Sequence, residues 1–425
     1  MSNSASSGEG KLGPVSVFAL AAGGMVGGGI YVALGVVVKA AGQWAWLSFL
    51  LAGLVAVSSA FSYARLSVDA GRSGGAFEFL EEMDREGLAG TLSWLLLGGY
   101  VLTIALYAYA FGQYVANAFG GGEWLKRGLA IAAMGGLTGL NLLGLGKMTR
   151  VEIVIVVANL SALVALAVFG LFQWAPEQLT AGIEARPVSA SLIGAAAIFV
   201  SYEGFQLLTY EYEEIRKAKT RFVPLLVGSA LTVVAIYVAV ALGATMLAGA
   251  STVVERKDVA LAVAAREAWG PAGLVLLTIA AGFATSAAIN STLYSSANLA
   301  KRVSEDNELP SLFARTNGQG TPYASIIGFG LVAGILSVTG SLSDLVEAAS
   351  LVFLATFLTV NLICIRKLGR FWYIPLTGIA LGLLLGVILV WRLAHNAPIS
   401  LGIVISLGLV AYFVRPFLLK RLRQS

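Results

Sequence analysis

Two short stretches place groups that can bind a solute inside apolar surroundings. The first is LAAGGMVGGGIYVALG, residues 20–35, where five glycines fall within seven positions. The second is IFVSYEGFQ, residues 198–206, where Glu203 and Gly204 interrupt an apolar run. Because glycine costs a helix interior about 1 kcal/mol relative to alanine, the first stretch favours a break in a helix. The second favours a break because a charged group and a glycine adjoin there.

A broken helix exposes backbone groups that bind charged ligands. The half-helix after the break presents free N–H groups and a positive dipole end, which suit a carboxylate. The carbonyls that end the preceding half suit an ammonium group. A solute with both groups adjacent is an α-amino acid. Close packing of helices through small residues is the alternative explanation for the same glycines.

The composition places these stretches in a membrane protein. Hydrophobic residues make up 58% of the 425 residues and charged residues only 12%, whereas soluble domains are about a quarter charged. A span needs about 20 apolar residues. Twelve spans are predicted, at about 15–38, 44–64, 88–119, 124–143, 151–174, 189–212, 222–248, 271–299, 322–339, 344–365, 371–394 and 398–418.

The distribution of basic residues predicts the orientation of these spans. With twelve spans, twenty of the 28 Lys and Arg residues lie on the side that holds both termini. Positive residues accumulate on the cytoplasmic side, so both termini are expected to be cytoplasmic in a multi-pass protein of the plasma membrane. The net charge of +5 does not indicate nucleic-acid binding, because the basic residues are scattered among short loops.

The two interruptions fall five spans apart, in spans one and six. Paired interruptions in corresponding positions of two halves are typical of transporters built from inverted repeats. The prediction is therefore an all-α protein with discontinuous spans one and six and a five-plus-five repeat. Its parts are a tail 1–14, repeat one 15–174, repeat two 189–365, two additional spans 371–418 and a tail 419–425.

Few other residues suggest chemistry. Glu203 is the clearest ionisable group inside a span, and three roles stay open: coupling of protons, binding of a substrate ammonium, or bonding to the broken backbone. The tyrosines of span three at 100, 107, 109 and 114 cannot all face one way, so packing is expected for most of them. The single cysteine, Cys364, excludes an internal disulfide, and a disulfide-linked subunit is not expected. Since no nucleophile with its base, no P-loop and no metal cage is recognisable, an enzyme is not expected and no catalytic residue or resident cofactor is predicted.

Five segments, in order and at matching spacing, resemble the amino acid/polyamine/organocation (APC) superfamily of permeases. The segments are GGMVGGGIYVALG in span one, SYARLSVDAGRSGGAFEFL between spans two and three, FVSYEGFQ and EYEEI in span six, SSANLAKRVSEDNELPSLFARTNGQGTP after span eight, and ASLVFLATFLTVNLICIRKL in span ten. The resemblance implies alternating access without ATP, with a small-molecule substrate in a protein embedded in the lipid bilayer.

The resemblance also implies which residues bind the substrate. The amides of Gly27, Gly28 and Gly29 would receive its carboxylate. Its amino group would bind the carbonyls of Met25, Phe199, Val200 and Glu203, with Ser201 beside them and Tyr202 and Phe205 as an aromatic wall or gate. A pocket of small and aromatic groups with one acid favours a neutral amino acid, and a polyamine or other organic cation that uses Glu203 is the alternative.

The sequence departs from the family pattern in spans one and five. Gly28 stands where many members carry a hydroxyl, so one side-chain contact to the carboxylate is missing. Asn159 stands where sodium-independent members often carry a lysine, which leaves room for a cation between spans one, five and eight. Thr285 and Ser286 in span eight are the hard oxygen donors for such a sodium ion. The alternative is that these hydroxyls bond to their own i−4 carbonyls or to a neighbouring helix.

Overall fold

Helices form the protein wherever the structure describes it. The computed structural model describes residues 12–81, 86–144, 149–415 and 417. Over these ranges, strand-like pairing is limited to one isolated bridge between Leu12 and Ile215. The bridge joins the segment before the first helix to the end of span six, with Leu12 N–H donating to the Glu214 carbonyl at 2.8 Å.

The described ranges contain fifteen α-helices. They are α1 Pro14–Val26, α2 Gly29–Ala41, α3 Ala45–Ala70, α4 Gly75–Glu81, α5 Glu86–Ala118, α6 Glu123–Leu142, α7 Thr149–Gln173, α8 Ala190–Ala197, α9 Ala218–Ala248, α10 Ala250–Glu255, α11 Ala260–Glu305, α12 Tyr323–Thr339, α13 Leu342–Leu368, α14 Tyr373–Asn396 and α15 Pro398–Leu409. Each predicted span overlaps one of these helices or a broken pair of them.

Span one is interrupted within the glycine run. α1 ends at Val26 and α2 begins at Gly29. Gly28 leaves the helical region, with φ −122° and ψ −12°, while Gly27 stays helical and its N–H still bonds to the Gly23 carbonyl at 2.8 Å. The break is therefore a turn of two residues, and the first N–H groups of α2 lie at it without helical partners.

Span six is interrupted more strongly. α8 ends at Ala197 and is followed by two 3-10 segments, Phe199–Tyr202 and Phe205–Glu214. Between them Glu203 is extended, with ψ 150°, and Gly204 has φ 121°. The two parts of the span are bent by 59°. A φ of this size is sterically accessible to glycine and very rarely to other residues, so Gly204 determines where the chain turns.

The apolar helices have the lengths expected of membrane spans. Within the described ranges, seven helical stretches are long and apolar enough to cross a membrane, and the bent pair in span six brings the number to eight. Three further apolar helices, Pro14–Val26, Tyr323–Thr339 and Pro398–Phe413, are shorter. α11 is longer than the predicted span 271–299, but non-helical Trp269 and Gly270 divide it just before Pro271.

The two broken helices lie in the interior of the bundle. α1 packs against α7 and α9, and α2 packs against α8. α3 and α9 pack along each other, as do α5 and α11. The polar peptide groups at both breaks are therefore enclosed by other helices, which is the condition for irregular backbone at membrane depth.

Candidate functional site

The backbones of the two breaks touch at a pair of glycines. A Cβ atom on Gly24 would lie 2.8 Å from the Gly204 carbonyl oxygen, and a Cβ on Gly204 would overlap the Gly24 carbonyl. Real Cβ atoms essentially never approach other atoms so closely. Neither position can carry a side chain without separating span one from span six. The glycines thus allow the close approach as well as the local breaks.

A single tyrosine hydroxyl joins the two breaks. Tyr237, buried on α9, lies 2.8 Å from the Met25 carbonyl and 3.0 Å from the Ser201 carbonyl. Met25 is the next-to-last residue of α1, and Ser201 lies in the 3-10 segment that follows α8. The hydroxyl donates its proton to these two acceptors, one from each broken span. The two carbonyls between the breaks therefore already accept hydrogen bonds from one donor. An ammonium group requires acceptors arranged in this way.

Gly29 approaches the same point from the start of α2. A Cβ on Gly29 would lie 2.5 Å from the Ser201 carbonyl oxygen and 2.7 Å from the Tyr237 hydroxyl. Gly27 lies against Ala288 of α11, where a Cβ would be 2.5 Å from the alanine side chain. Both glycines are thus required by close neighbours, and Gly29 lies beside the point where the breaks meet.

An aromatic ring fills the space beside Gly28, where a side-chain hydroxyl is missing. A side chain on Gly28 would overlap the ring of Tyr107, which is buried on α5. The space that a serine would need there is already filled. Tyr107 also places its own hydroxyl 3.4 Å from Glu203 Oε2, so it contacts both the span-one break and the acid of span six.

Glu203 is buried and bonded on both carboxylate oxygens. Gln206 donates from Nε2 to Glu203 Oε1 at 2.9 Å, and Tyr107 donates to Oε2. The Oε1 of Gln206 in turn accepts the Gly204 N–H at 2.9 Å. Gln206 Nε2 also lies 3.5 Å from the hydroxyl of Tyr100, which bonds to Tyr210 at 2.9 Å. The acid therefore sits at the end of a buried polar chain that supports the turn at Gly204.

Ser350 of α13 forms hydrogen bonds with two backbone groups that the break after α8 leaves free. Its hydroxyl donates to the Ala197 carbonyl at 2.9 Å and accepts the Val200 N–H at 2.9 Å. Two peptide groups that a continuous helix would have paired are thereby satisfied by one side chain. Ser350 is fully buried, so solvent does not reach these groups in this conformation.

The Ser350→Ala variant is expected to unfold more easily. It leaves a carbonyl and an N–H buried without partners, and such losses cost about 1–3 kcal/mol. The melting temperature in detergent measures the effect. Ser161→Ala is the matched control, since Ser161 donates to its own i−4 carbonyl on an exposed face of α7 and bridges no break. Equal melting temperatures for the two variants would contradict the bridging role.

The side chains of the aromatic candidates are engaged with neighbouring helices, and the Tyr202 ring also packs on Tyr237. Tyr202 donates its hydroxyl to the Phe49 carbonyl of α3 at 2.7 Å. Phe199 and Phe205 pack against Phe357 of α13, with ring centroids 5.5 and 5.2 Å away. In this conformation all three side chains hold span six against its neighbours. Their role as a substrate wall or gate stays a prediction.

The remaining backbone candidates lie at the breaks. The Val200 carbonyl accepts the Glu203 N–H at 2.9 Å, so one of its lone pairs is used. The Ser201 hydroxyl is buried and, within the part of the chain described, meets no hydrogen-bond partner. An unpaired buried hydroxyl beside two converging carbonyls is the kind of group that a polar ligand would satisfy.

The residues predicted to surround a sodium ion lie around span one. Asn159 of α7 is buried and its Oδ1 accepts a hydrogen bond from the Tyr31 hydroxyl of α2. Thr285 of α11 donates to the carbonyls of Ala281 and Gly282, at 2.7 and 3.2 Å, which is the alternative considered for it. Ser286 is partly exposed. α11 reaches span one at Gly27, so these residues flank the break from two sides.

Sequence reasoning missed the side chains that other helices contribute. Tyr237 and Ser350 are a tyrosine and a serine in apolar helices, with no local motif around them. Tyr107 is one of the span-three tyrosines, and the sequence predicts packing for most of these. The spacing of these tyrosines was a usable signal, because Tyr100, Tyr107 and Tyr114 are seven residues apart and so share one helix face. In the structure all three are buried.

Comparisons with known proteins show the family to which the chain belongs. A family model described as amino acid permease matches residues 12–412. An uncharacterized protein of Methanocaldococcus jannaschii is 31% identical over 316 residues, 72% of this chain and 71% of its own. The inner membrane transport protein YbaT of Escherichia coli is 27% identical over 373 residues, 86% of each chain. A vacuolar cationic amino acid transporter of Arabidopsis thaliana is 26% identical over 374 residues, 82% of this chain and 58% of its own.

The family model covers nearly the whole described chain, including both broken spans, and the resemblance inferred from five sequence segments is confirmed. This chain belongs to the amino acid permease family.

Proposed function

We propose that the protein is a secondary active transporter of neutral amino acids, which binds its substrate between the breaks of spans one and six. The observation that supports this most directly is the convergence of the Met25 and Ser201 carbonyls on one hydroxyl donor, Tyr237. A substrate ammonium is a donor of the same kind and would bind the same acceptors. The amides of Gly28 and Gly29 would receive the carboxylate at the positive end of α2, and that of Gly27 would join them once its bond to the Gly23 carbonyl opens.

Burial of both breaks fits a closed stage of alternating access. Met25, Tyr107, Ser201 and Glu203 are each at most 1% exposed. A substrate reaches such a site only after helices move apart on one side of the membrane. Under the proposal, spans one and six open toward one side and then the other while their neighbours stay in place.

The proposed architecture has twelve spans in the plasma membrane with both termini in the cytoplasm. Spans one to five and six to ten form the two inverted repeats, and two further spans follow. The breaks at Gly27–Gly28 and Glu203–Gly204 fall five spans apart, as such a repeat requires. A disulfide-linked subunit is not part of the proposal, since Cys364 is buried.

An organic cation is the alternative substrate. Glu203 places a buried carboxyl beside the break, and its surroundings offer hydroxyl and amide partners in Tyr107 and Gln206. The Arabidopsis relative is named for cationic amino acids. A substrate with a second ammonium group would use the carboxyl, whereas a neutral amino acid leaves it to Tyr107 and Gln206.

A thermal-shift screen in detergent tests the proposal and separates the two substrate classes. A ligand that binds only the folded state raises the melting temperature. Neutral amino acids are expected to raise it, and polyamines are not. The ligands that bind are then tested by counterflow in liposomes, since only a carrier exchanges external label against an unlabelled internal pool. Leakage of label without exchange would indicate a channel and overturn the proposal.

Glu203 is the residue proposed for proton coupling, if protons are the coupling ion, and the Glu203→Gln variant tests this role. The amide side chain of this variant has no acidic proton to release, so we expect uptake driven by a pH gradient to fall to the level seen without a gradient. Counterflow at equal pH is expected to persist, since it needs no net proton movement. Glu305→Gln, which removes an exposed carboxylate paired with Lys301, is the control. Full pH-dependent accumulation by Glu203→Gln would exclude the proton role.

Sodium is the other coupling ion under consideration, with Thr285, Ser286 and Asn159 as the residues around it. The same uptake assay with sodium replaced by choline at fixed pH distinguishes the two ions. Uptake that is unchanged in choline would remove sodium from the proposal and leave Glu203 as the coupling group.

A further inference from the structure

An apolar groove lies apart from the broken helices, between α5, α12 and α15. It has a volume of about 380 Å³ and is lined by four residues of α5, four of α12, three of α15 and Phe313. All twelve are glycines or apolar side chains. The groove is therefore unsuited to an amino acid, whose two charges would find no partner in it.

Two glycines shape the groove. A Cβ on Gly98 would overlap Leu407, so this glycine lets the leucine of α15 pack directly on α5. Among the described residues, none has an atom within 4 Å of the position of a Cβ on Gly328 of α12, so Gly328 borders open space. A larger side chain at Gly328 would therefore project into the groove.

The surroundings of the groove are those of a lipid-facing surface. Val332 and Ile403, which line it, are 49% and 52% exposed, and Leu331 and Ile335 nearby are 63% and 60% exposed. In a bilayer such side chains face hydrocarbon. The molecules that this surface meets in a bilayer are lipids, and their acyl chains are as apolar as the lining of the groove.

An exposed cation follows closely after one of the residues that line the groove. Phe313 belongs to the 3-10 turn Ser311–Ala314, and the next residue, Arg315, is exposed. On the same side, Arg415 is already paired with Glu308. Arg315 is thus an exposed cation two residues from Phe313, which lines the apolar groove, and this combination matches an anionic headgroup followed by a hydrocarbon chain.

We propose that this groove is a binding site for one acyl chain of an anionic phospholipid whose headgroup phosphate is held by Arg315. The predicted orientation places Arg315 on the cytoplasmic side, so the lipid comes from the inner leaflet. The proposal does not depend on the transported substrate, because no residue of the groove lies at either break.

Native mass spectrometry with phosphatidylglycerol and phosphatidylethanolamine tests the site. The wild type, purified from a mixture of the two, is expected to retain one phosphatidylglycerol after detergent washing. Gly328→Leu fills the open space and is expected to lower the retained fraction at least fivefold. Gly386→Leu is the matched control, since Gly386 of α14 also borders open space but lies outside the groove. Arg315→Ala is expected to remove the preference for phosphatidylglycerol.

Ile403→Trp fills the groove from the opposite wall and serves as a second variant in case Gly328→Leu folds poorly. Equal lipid retention by the wild type and by a folded groove-filling variant would overturn the proposal. So would a wild-type dimer that the groove-filling variants convert to a monomer, because a second copy would then be the occupant. Since lipid retention is measured without transport, its failure leaves the proposed transport function untouched.

Discussion

The Gly204→Ala variant is expected to lose uptake in proteoliposomes by at least about 100-fold. The Cβ atom that alanine adds carries two free-energy costs. The φ of 121° strains any residue with a Cβ by about 1–3 kcal/mol. The overlap with the Gly24 carbonyl adds an overpacking cost of about 1–3 kcal/mol. The variant relieves the overlap by moving span six away from span one, which separates the two halves of the proposed site, and it relieves the strain only by changing the turn at residue 204.

The measurement is initial uptake of labelled substrate per reconstituted protein, together with the melting temperature in detergent. Gly228→Ala is the matched control: Gly228 is helical, lies in α9, and meets no atom of the described ranges within 4 Å of a Cβ position. We expect this control to keep both its uptake and its melting temperature. Uptake by Gly204→Ala at half the wild-type rate or more would show that the glycine contact is dispensable.

The Tyr237→Phe variant is expected to lose about 10-fold or more in uptake and to melt at a lower temperature. The change keeps the ring, which packs on Tyr202 and Phe49, and removes only the hydroxyl. The Met25 and Ser201 carbonyls are then buried without their donor, at a cost of about 1–3 kcal/mol. Because those carbonyls belong to different spans, the closed conformation in which they meet loses this stabilisation.

Tyr114→Phe distinguishes this effect from simple loss of a buried hydrogen bond. The Tyr114 hydroxyl is also buried and donates to a backbone carbonyl, that of Tyr31, at 3.0 Å. The bond ties α5 to α2 and does not join the two breaks. Both variants are expected to lose similar stability, and only Tyr237→Phe is expected to lose most of its uptake. Equal loss of uptake in both would contradict a specific role for Tyr237.

The two matched pairs address different parts of the site. Gly204 and its control test whether the spans must touch, and Tyr237 and its control test whether the hydrogen bond between them matters. Binding of substrate can be followed separately by thermal shift in each variant. A variant that binds without transporting would locate its defect in the movement of spans one and six.

The positions of the two breaks were predictable because they depend on local backbone preferences. A run of glycines weakens a helix wherever it lies, and Gly204 adopts a φ that other residues rarely adopt. The lengths of the apolar helices could also be predicted, because a bilayer requires long hydrophobic stretches. The bounds were less accurate where helices extend beyond the apolar region, as at Ala218 and Ala260.

The partners of the freed peptide groups could not be predicted from the sequence. Tyr237 bonds to a carbonyl 212 positions away, and Ser350 bonds to peptide groups about 150 positions away. Nothing local distinguishes these residues from a tyrosine or a serine that packs in any apolar helix. Their selection depends on which helices the fold places beside the breaks.

The sequence by itself therefore determined the membrane class, the family, and the two places where helices come apart, since composition and glycine preference act over short distances. Only the tertiary structure decided how the breaks are used. It packed Gly24 on Gly204, filled the space above Gly28 with Tyr107, and brought two carbonyls to one hydroxyl of α9. The physical reason is that a buried polar group must find a partner, and in this protein the partners come from helices distant in the chain.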